Sequence, residues 1–235
     1  MSPTLTAALT ALGGLLAGLG CGAVALHWQY ERLVDADRRV AAALRRADDA
    51  EYLALHDDTT GIPNRRAFLT ALDRAMAAGR PTGVVLLDLD DFKTVNDTYS
   101  HDHGNEVLTT VGLRLQGQPA PVLLAARLSG DEFALLITGD REQTRACAHA
   151  AATAVSGQPI PIAGTREIAM RASVGYAHAD DDGSTARELL HHADLAMYEA
   201  KRSGTGVTDT TPPHLAGRSR CRDARHQPHQ PAPTD

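Results

Sequence analysis

Hydrophobic and polar positions divide the chain into four stretches. From Thr4 to Leu26 no side chain carries a charge, and as a helix such a run spans about 35 Å, enough to cross a hydrocarbon core of about 30 Å. No Lys or Arg precedes it, whereas Arg32, Arg38, Arg39, Arg45 and Arg46 follow it closely. Residues 1–27 therefore predict an uncleaved transmembrane anchor in the inner or plasma membrane, single-pass, with the N-terminus outside and everything after His27 in the cytoplasm. Gly14, Gly18 and Gly22 recur every fourth residue there, a spacing that lets two membrane helices approach closely. Residues 28–55 lack Gly and Pro and predict a helical linker. Leu33, Val40 and Ala47 recur every seven residues with Ala36, Ala43 and Ala50 between them, a heptad-like seam. A solvated lone helix and a short parallel coiled coil both fit it.

Residues 56–208 alternate between the two periodicities. Helices are predicted over 65–78, 104–115, 141–155 and 185–201, and strands over 82–89, 122–128, 132–138 and 167–177. The turn Ser129-Gly130-Asp131 joins two of the strands into a hairpin. That excludes a purely parallel doubly wound sheet and predicts an α+β domain, a central sheet flanked by helices. Residues 209–235, with Pro212, Pro213, Pro228, Pro231 and Pro233 and no periodicity, predict a disordered tail.

Composition narrows the function. Hydrophobic residues make up 43% of the 235 residues but aromatic ones only 4%, so aliphatic side chains and Ala must fill the core. A net charge of -6 argues against a chain that coats nucleic acid. Cys21, Cys147 and Cys221 are far apart and odd in number, which fits a reducing compartment and neither a disulfide framework nor a cysteine metal site. Cys147, in an Ala-rich helical stretch, reads as a core residue.

Two acidic sites end or interrupt apolar strands. Asp88, Asp90 and Asp91 follow the run Val84–Leu87, and Asp131 and Glu132 sit in the hairpin turn. Carboxylates at the exits of buried strands are costly unless something neutralises them. If the strands are neighbours, Asp88 and Asp131 face each other, a hard-oxygen donor set suited to Mg²⁺ with substrate phosphates completing its shell. A helix cap at Asp91 and a turn former at Asp131 are the plainer roles. No P-loop or Rossmann glycine fingerprint is present, so the phosphate cradle is of another kind.

The stretch Ser129-Gly130-Asp131-Glu132-Phe133 resembles the signature turn of the GGDEF-domain family, the diguanylate cyclases. Asp57 through Arg65 resembles the family's D-x-L-T-G-L-x-N-R opening, and Asp88 through Lys93 with Asn96-Asp97 its D-x-D-x-F-K-x-x-N-D segment. His101 and Gly104 match its G-H-x-x-G-D block, and Ala193-Asp194 through Lys201 its A-D-x-A-M-Y-x-A-K helix. The resemblance covers residues 56–208. It implies a palm-like sheet, similar to nucleotidyl cyclases, and a homodimer in which each subunit holds one GTP. The 3′-hydroxyl of each GTP attacks the α-phosphorus of the other, giving cyclic di-GMP and pyrophosphate. By position, Asp88, the Leu89 carbonyl and Asp131 would hold Mg²⁺, with Mn²⁺ as an alternative. Asp131 and Glu132 are the implied catalytic residues, Glu132 as a second-metal ligand or by activating the hydroxyl. The implied substrate-binding set is Phe92, Lys93, Asn96, Asn105 and Lys201, with Asn96 at guanine and both lysines at phosphates.

Several positions depart from the family pattern. Ser129 replaces the first Gly of the signature and Thr59 a Leu of the opening block. Thr205 stands where the family usually has Arg, and Asn105 where an Asp accepts guanine's donors. The product-binding R-x-x-D site reads Ala120-Pro121-Val122-Leu123. A degenerate domain that binds GTP and regulates a partner without turnover, and a cyclase with relaxed base selectivity, therefore stand beside the active diguanylate cyclase. His101, His103, His191 and His192 lack metal-site spacing and read as structural or solvated.

Overall fold

A computed structural model describes residues 3–162, 166–179 and 184–209, with the side chains of the first 25 residues outside that description except at Gly14 and Gly22. The chain divides into two compact units between Tyr52 and Leu53. Helix α1 runs Pro3–Leu55. Within the first unit Arg39 pairs with Asp35 at 2.7 Å, one helical turn away. Leu33 and Val40 of the heptad seam are 66% and 59% exposed, so the seam is uncovered by the described residues of its own unit. The transmembrane expectation for residues 1–27 rests on side chains outside the described residues. Among the described residues, no helix is long and apolar enough to cross a membrane. The disordered tail predicted for 209–235 likewise lies, beyond Asp209, outside them.

The second unit is built in the order α2 (Arg65–Ala77), β1 (Thr82–Leu89), α3 (Phe92–Tyr99), α4 (His101–Gln116), β2 (Val122–Ser129), β3 (Glu132–Thr138), α5 (Arg141–Ser156), β4 (Ile160–Ile162), β5 (Arg166–Ile168), β6 (Ala172–His178), α6 (Ala186–Ser203) and β7 (Val207–Asp209). The main sheet has the order β2-β3-β1-β6-β7. Its pairs are antiparallel except β6 with β7, which is parallel. β4 and β5 form a separate two-stranded ribbon.

The sheet is buried on both faces, which is why β1 reads as a continuous apolar run rather than an alternation. Val85, Leu87 and Leu89 join Val107, Val111, Ala148 and Val155 of α4 and α5 in one core. Val84 and Leu86 join Phe68, Leu72, Leu189 and Ala193 of α2 and α6 in the other. Cys147 is buried in the first, and burial pushes its thiol pKa up. Gly175 on β6 admits α6 closely, because a Cβ there would collide with the Met197 nitrogen and the Ala193 carbonyl oxygen.

Helix starts follow local chemistry. The Asn64 side chain accepts from Ala67 N at the head of α2. Asp140 with Gln143 and Thr185 with Glu188 form capping boxes on α5 and α6, satisfying otherwise orphaned first-turn donors. Four elements differ from the sequence expectation, β4 among them, as no strand is expected over 160–162. α3 is absent from the expectation too, since Thr94, Val95 and Thr98 are β-branched and only Phe92 and Val95 are buried on the helix. The single strand expected over 167–177 is two, because β5 pairs with β4 while β6 pairs with β1. β7 is three residues long and follows Gly204 and Gly206 at φ 69° and 81°, with no periodicity to announce it.

Candidate functional site

The C-terminal end of β1 and the β2–β3 hairpin place the acidic residues together. Asp88 lies directly opposite Glu132 across the β1–β3 ladder. Asp131 is one residue back in the turn, where its carbonyl oxygen accepts from Leu89 N at 3.2 Å. In extended backbone a residue's N–H and C=O point to the same side, so the Leu89 carbonyl is aimed along the same edge. Gly130 takes φ 47°, the left-handed turn conformation that its lack of Cβ makes easy.

Charge at this end is uneven. Lys201, near the end of α6, donates from Nζ to Asp88 Oδ1 at 2.5 Å. That hydrogen bond raises the lysine's pKa despite partial burial, helped by the charges of Asp88, Asp131 and Asp90. Asp131 is raised above the ordinary carboxylate value by burial and by the Asp88 charge, with Glu132 adding to it. The Glu132 carboxylate accepts from Ser129 Oγ at 2.8 Å. It lines a cavity of about 310 Å³ with Arg65, Phe68, Leu128, His191 and Asp194.

The neighbouring turn is tied to β6. Asp90 N donates to the Arg171 carbonyl at 2.9 Å, and Ser173 Oγ donates to Asp90 Oδ1 at 2.7 Å. Asp91 precedes α3 with φ 57° and makes no side-chain cap, so the plain capping role does not describe it. Lys93 is exposed on α3. Phe92 is 8% exposed and packs in the core, which leaves only its main chain to meet a ligand.

Asn96 is half-buried, and its Oδ1 lies where a Cβ on Gly104 would be. Gly104 is thus a seat for Asn96. Asn105, the next residue on α4, is exposed, and its carbonyl accepts from Thr109 Oγ1 at 2.8 Å. The structure brings Asp88, Leu89, Asp131 and Lys201 together, with Glu132 directly opposite Asp88. Asn96 and Asn105 lie on α3 and α4, with no hydrogen bond or ion pair to these among the described residues.

The sequence reading missed one connector. Arg127 donates from Nε and Nη2 to the Gly130 carbonyl at 2.9 and 2.8 Å and from Nη1 to Asp57 Oδ1 at 2.8 Å. Asp57 also accepts from Thr60 N and Oγ1. Burial raises the Asp57 carboxyl, but the hydrogen bonds from Arg127 and Thr60 outweigh it and leave the pKa below the ordinary value. Asp57 stood in the opening motif, but nothing in the spacing pairs it with a residue seventy positions away.

The donor set fits a hard divalent cation. Asp131 feels the Asp88 charge, the Leu89 main chain is bonded to Asp131, and a lysine ammonium already stands on Asp88 as a positive charge. Such oxygen donors suit Mg²⁺, which keeps several positions for water or phosphate. Among the described residues no three acidic, His or Cys side chains gather closely enough to hold a metal by themselves, so phosphate oxygens would complete the shell.

A mixed five-stranded sheet with helices on both faces and an acidic hairpin at one end defines an α+β domain with its candidate site at a sheet edge. Comparison with known families matches residues 54–206 to "Diguanylate cyclase, GGDEF domain", and the chain belongs to this GGDEF diguanylate cyclase domain family. It is 37% identical over 164 residues to the response regulator PleD of Caulobacter vibrioides, covering 67% of this chain and 36% of that one. It is 34% identical over 206 residues to the cyclic di-GMP phosphodiesterase NbdA of Pseudomonas aeruginosa, covering 82% of this chain and 26% of that one. The chain thus spans about a quarter to a third of the length of these relatives. Among solved structures, the coiled coil and GGDEF domain of DgcB from Caulobacter crescentus, in complex with c-di-GMP, aligns with a TM-score of 0.68 at 28% identity. That alignment covers 76% of this chain and 97% of that one.

Proposed function

We propose that this chain is an active diguanylate cyclase that condenses two GTP molecules into cyclic di-GMP, with Mg²⁺ or Mn²⁺ held by Asp88, the Leu89 carbonyl and Asp131. The observation that carries the reading is the convergence of Asp88 and Asp131 at one sheet end with the Lys201 ammonium on Asp88. A divalent cation, when bound, supplies charge neutralisation on the reacting phosphates. The chain's own residues do the rest. Lys201 moves from Asp88 to a phosphate, Asn96 and Asn105 meet the guanine, and Lys93 faces the phosphates from α3. Glu132 accepts the proton of the attacking 3′-hydroxyl as the oxygen–phosphorus bond forms and pyrophosphate leaves. Most of the acceleration comes from positioning and charge, as phosphoryl chemistry requires.

The reaction needs two loaded domains face to face. The exposed seam of Leu33, Val40 and the alanines supports a parallel coiled-coil homodimer, as does the likeness to a DgcB structure that includes a coiled coil. The charge-free run Thr4–Leu26 followed by arginines supports a single membrane anchor with the catalytic domain in the cytoplasm. Incubating the full chain with GTP and Mg²⁺ and separating the products tests the activity; absence of cyclic di-GMP, with GTP still bound, would establish a regulatory domain without turnover. Asn105, exposed and no longer a carboxylate, is the residue that favours this second reading. Extraction of membranes at alkaline pH tests the anchor, which is retained with the bilayer if it spans.

A further inference from the structure

We propose that Arg171 is a phosphate-binding residue of the nucleotide site, supplying the second cation that position 205 lacks; the inference rests on the nucleotide reading above. Arg171 immediately precedes β6, whose first residue pairs with the last of β1. Its carbonyl is fixed by Asp90 N at 2.9 Å, and Ser173, two residues on, donates to Asp90 Oδ1. The main chain of Arg171 is therefore pinned against the acidic turn, while its side chain is exposed.

That side chain lines a cavity of about 410 Å³ with Asp90, Asp91, Lys201, Gly204 and Gly206. Four arginines of the domain are engaged by hydrogen bonds or ion pairs. Arg114 donates to the carbonyls of Ala154, Val155, Gln158 and Pro159, Arg127 holds Asp57, and Arg145 and Arg202 pair along their own helices. Among the described residues the Arg171 guanidinium has no such partner, although two carboxylates share its cavity. Asp90 is already engaged by Ser173.

Charge decides what the cavity can take. Its lining carries two carboxylates and two cations, Arg171 and Lys201. Without Arg171 the carboxylates outnumber the lysine and repel a phosphate. With it the lining is balanced, and a planar guanidinium offers a fork of donors that matches phosphate oxygens. Thr205 cannot serve, because its hydroxyl is uncharged and is bonded to Ser203 Oγ and Thr208 Oγ1, each at 3.0 Å. Gly204 and Gly206, which flank it, line the same cavity, so positions 171 and 205 approach one site from two strand ends.

The test is calorimetric titration of the full chain with GTP and with guanosine in Mg²⁺ buffer, for the wild type, Arg171→Met and Arg171→Met/Thr205→Arg. Arg171→Met is expected to weaken GTP binding about tenfold, the scale of a lost charge-assisted hydrogen bond, and to leave guanosine binding unchanged. Moving the cation to position 205 is expected to restore most of the loss, which a merely structural role would not allow. GTP affinity unchanged in Arg171→Met, or an equal loss for guanosine, overturns the role of Arg171 while the nucleotide reading stands. A wild type that binds no GTP overturns both.

Discussion

The Arg127 guanidinium bridges the Asp57 carboxylate, at 2.8 Å, and the carbonyl of Gly130, so the turn that follows α1 is fastened to the turn that carries Asp131. Their side chains are only 10% and 19% exposed, which sets the pair apart from surface ion pairs worth little. Removing one partner leaves the other poorly solvated, so Asp57→Asn is expected to lower stability by about 1–3 kcal/mol at pH 7. The Asp57 pKa is depressed in the folded chain. Its contribution is therefore present above the unfolded carboxylate value of about 3.9 and is lost as pH falls through the folded value. Urea melts of both proteins across pH 2–7 (a range of about five units) should show a gap that closes at the acid end. A constant gap would show that the charge is irrelevant.

Asp88→Ala and Asp131→Ala are each expected to lower cyclase turnover by about a hundredfold or more, the scale of removing one preorganised charge from such a site. Both residues lie at an open strand end rather than in the core, so melting temperatures should stay near wild type. Chelation should abolish activity and added Mg²⁺ restore it. Near-normal turnover in either variant would remove that residue from the site.

Asn105→Asp is expected to lower the KM for GTP. Guanine presents two adjacent donors, which a carboxylate accepts together, whereas an amide offers one acceptor and one donor. An unmade hydrogen bond of this kind costs about 1–3 kcal/mol, so the shift should be about tenfold. The wild type should also use ATP detectably as one partner, since an amide matches adenine's acceptor and donor. Measuring KM for both nucleotides checks this; an unchanged KM for GTP in the variant would show that position 105 does not read the base.

Ser100→Gly is expected to stabilise the domain. Ser100 joins α3 to α4 at φ 101° and ψ 161°, a region that is essentially Gly-only and costs about 1–3 kcal/mol for other residues. Its hydroxyl contact with His103 Nδ1 is exposed and offsets little of that. A thermal or urea melt should shift upward by about 1 kcal/mol. A downward shift would mean that the Ser100–His103 contact outweighs the backbone strain.

Much of the fold was legible before any coordinates. β1, β2 and β3 are apolar runs bounded by turn residues, and α2, α5 and α6 carry 3.6-residue periodicity; local chemistry alone specifies such elements. The acidic residues at strand exits marked the site, because buried strands tolerate carboxylates only where something neutralises them. Tertiary structure decided the rest. It set Asp88 against Glu132 in register, brought Lys201 from the far end of α6 onto Asp88, and joined Arg127 to Asp57. It also placed Arg171 and Lys201 in the lining of one cavity. Each of these relations links residues far apart in the chain, where no spacing or periodicity records the contact and only the packing of strands and helices in three dimensions creates it.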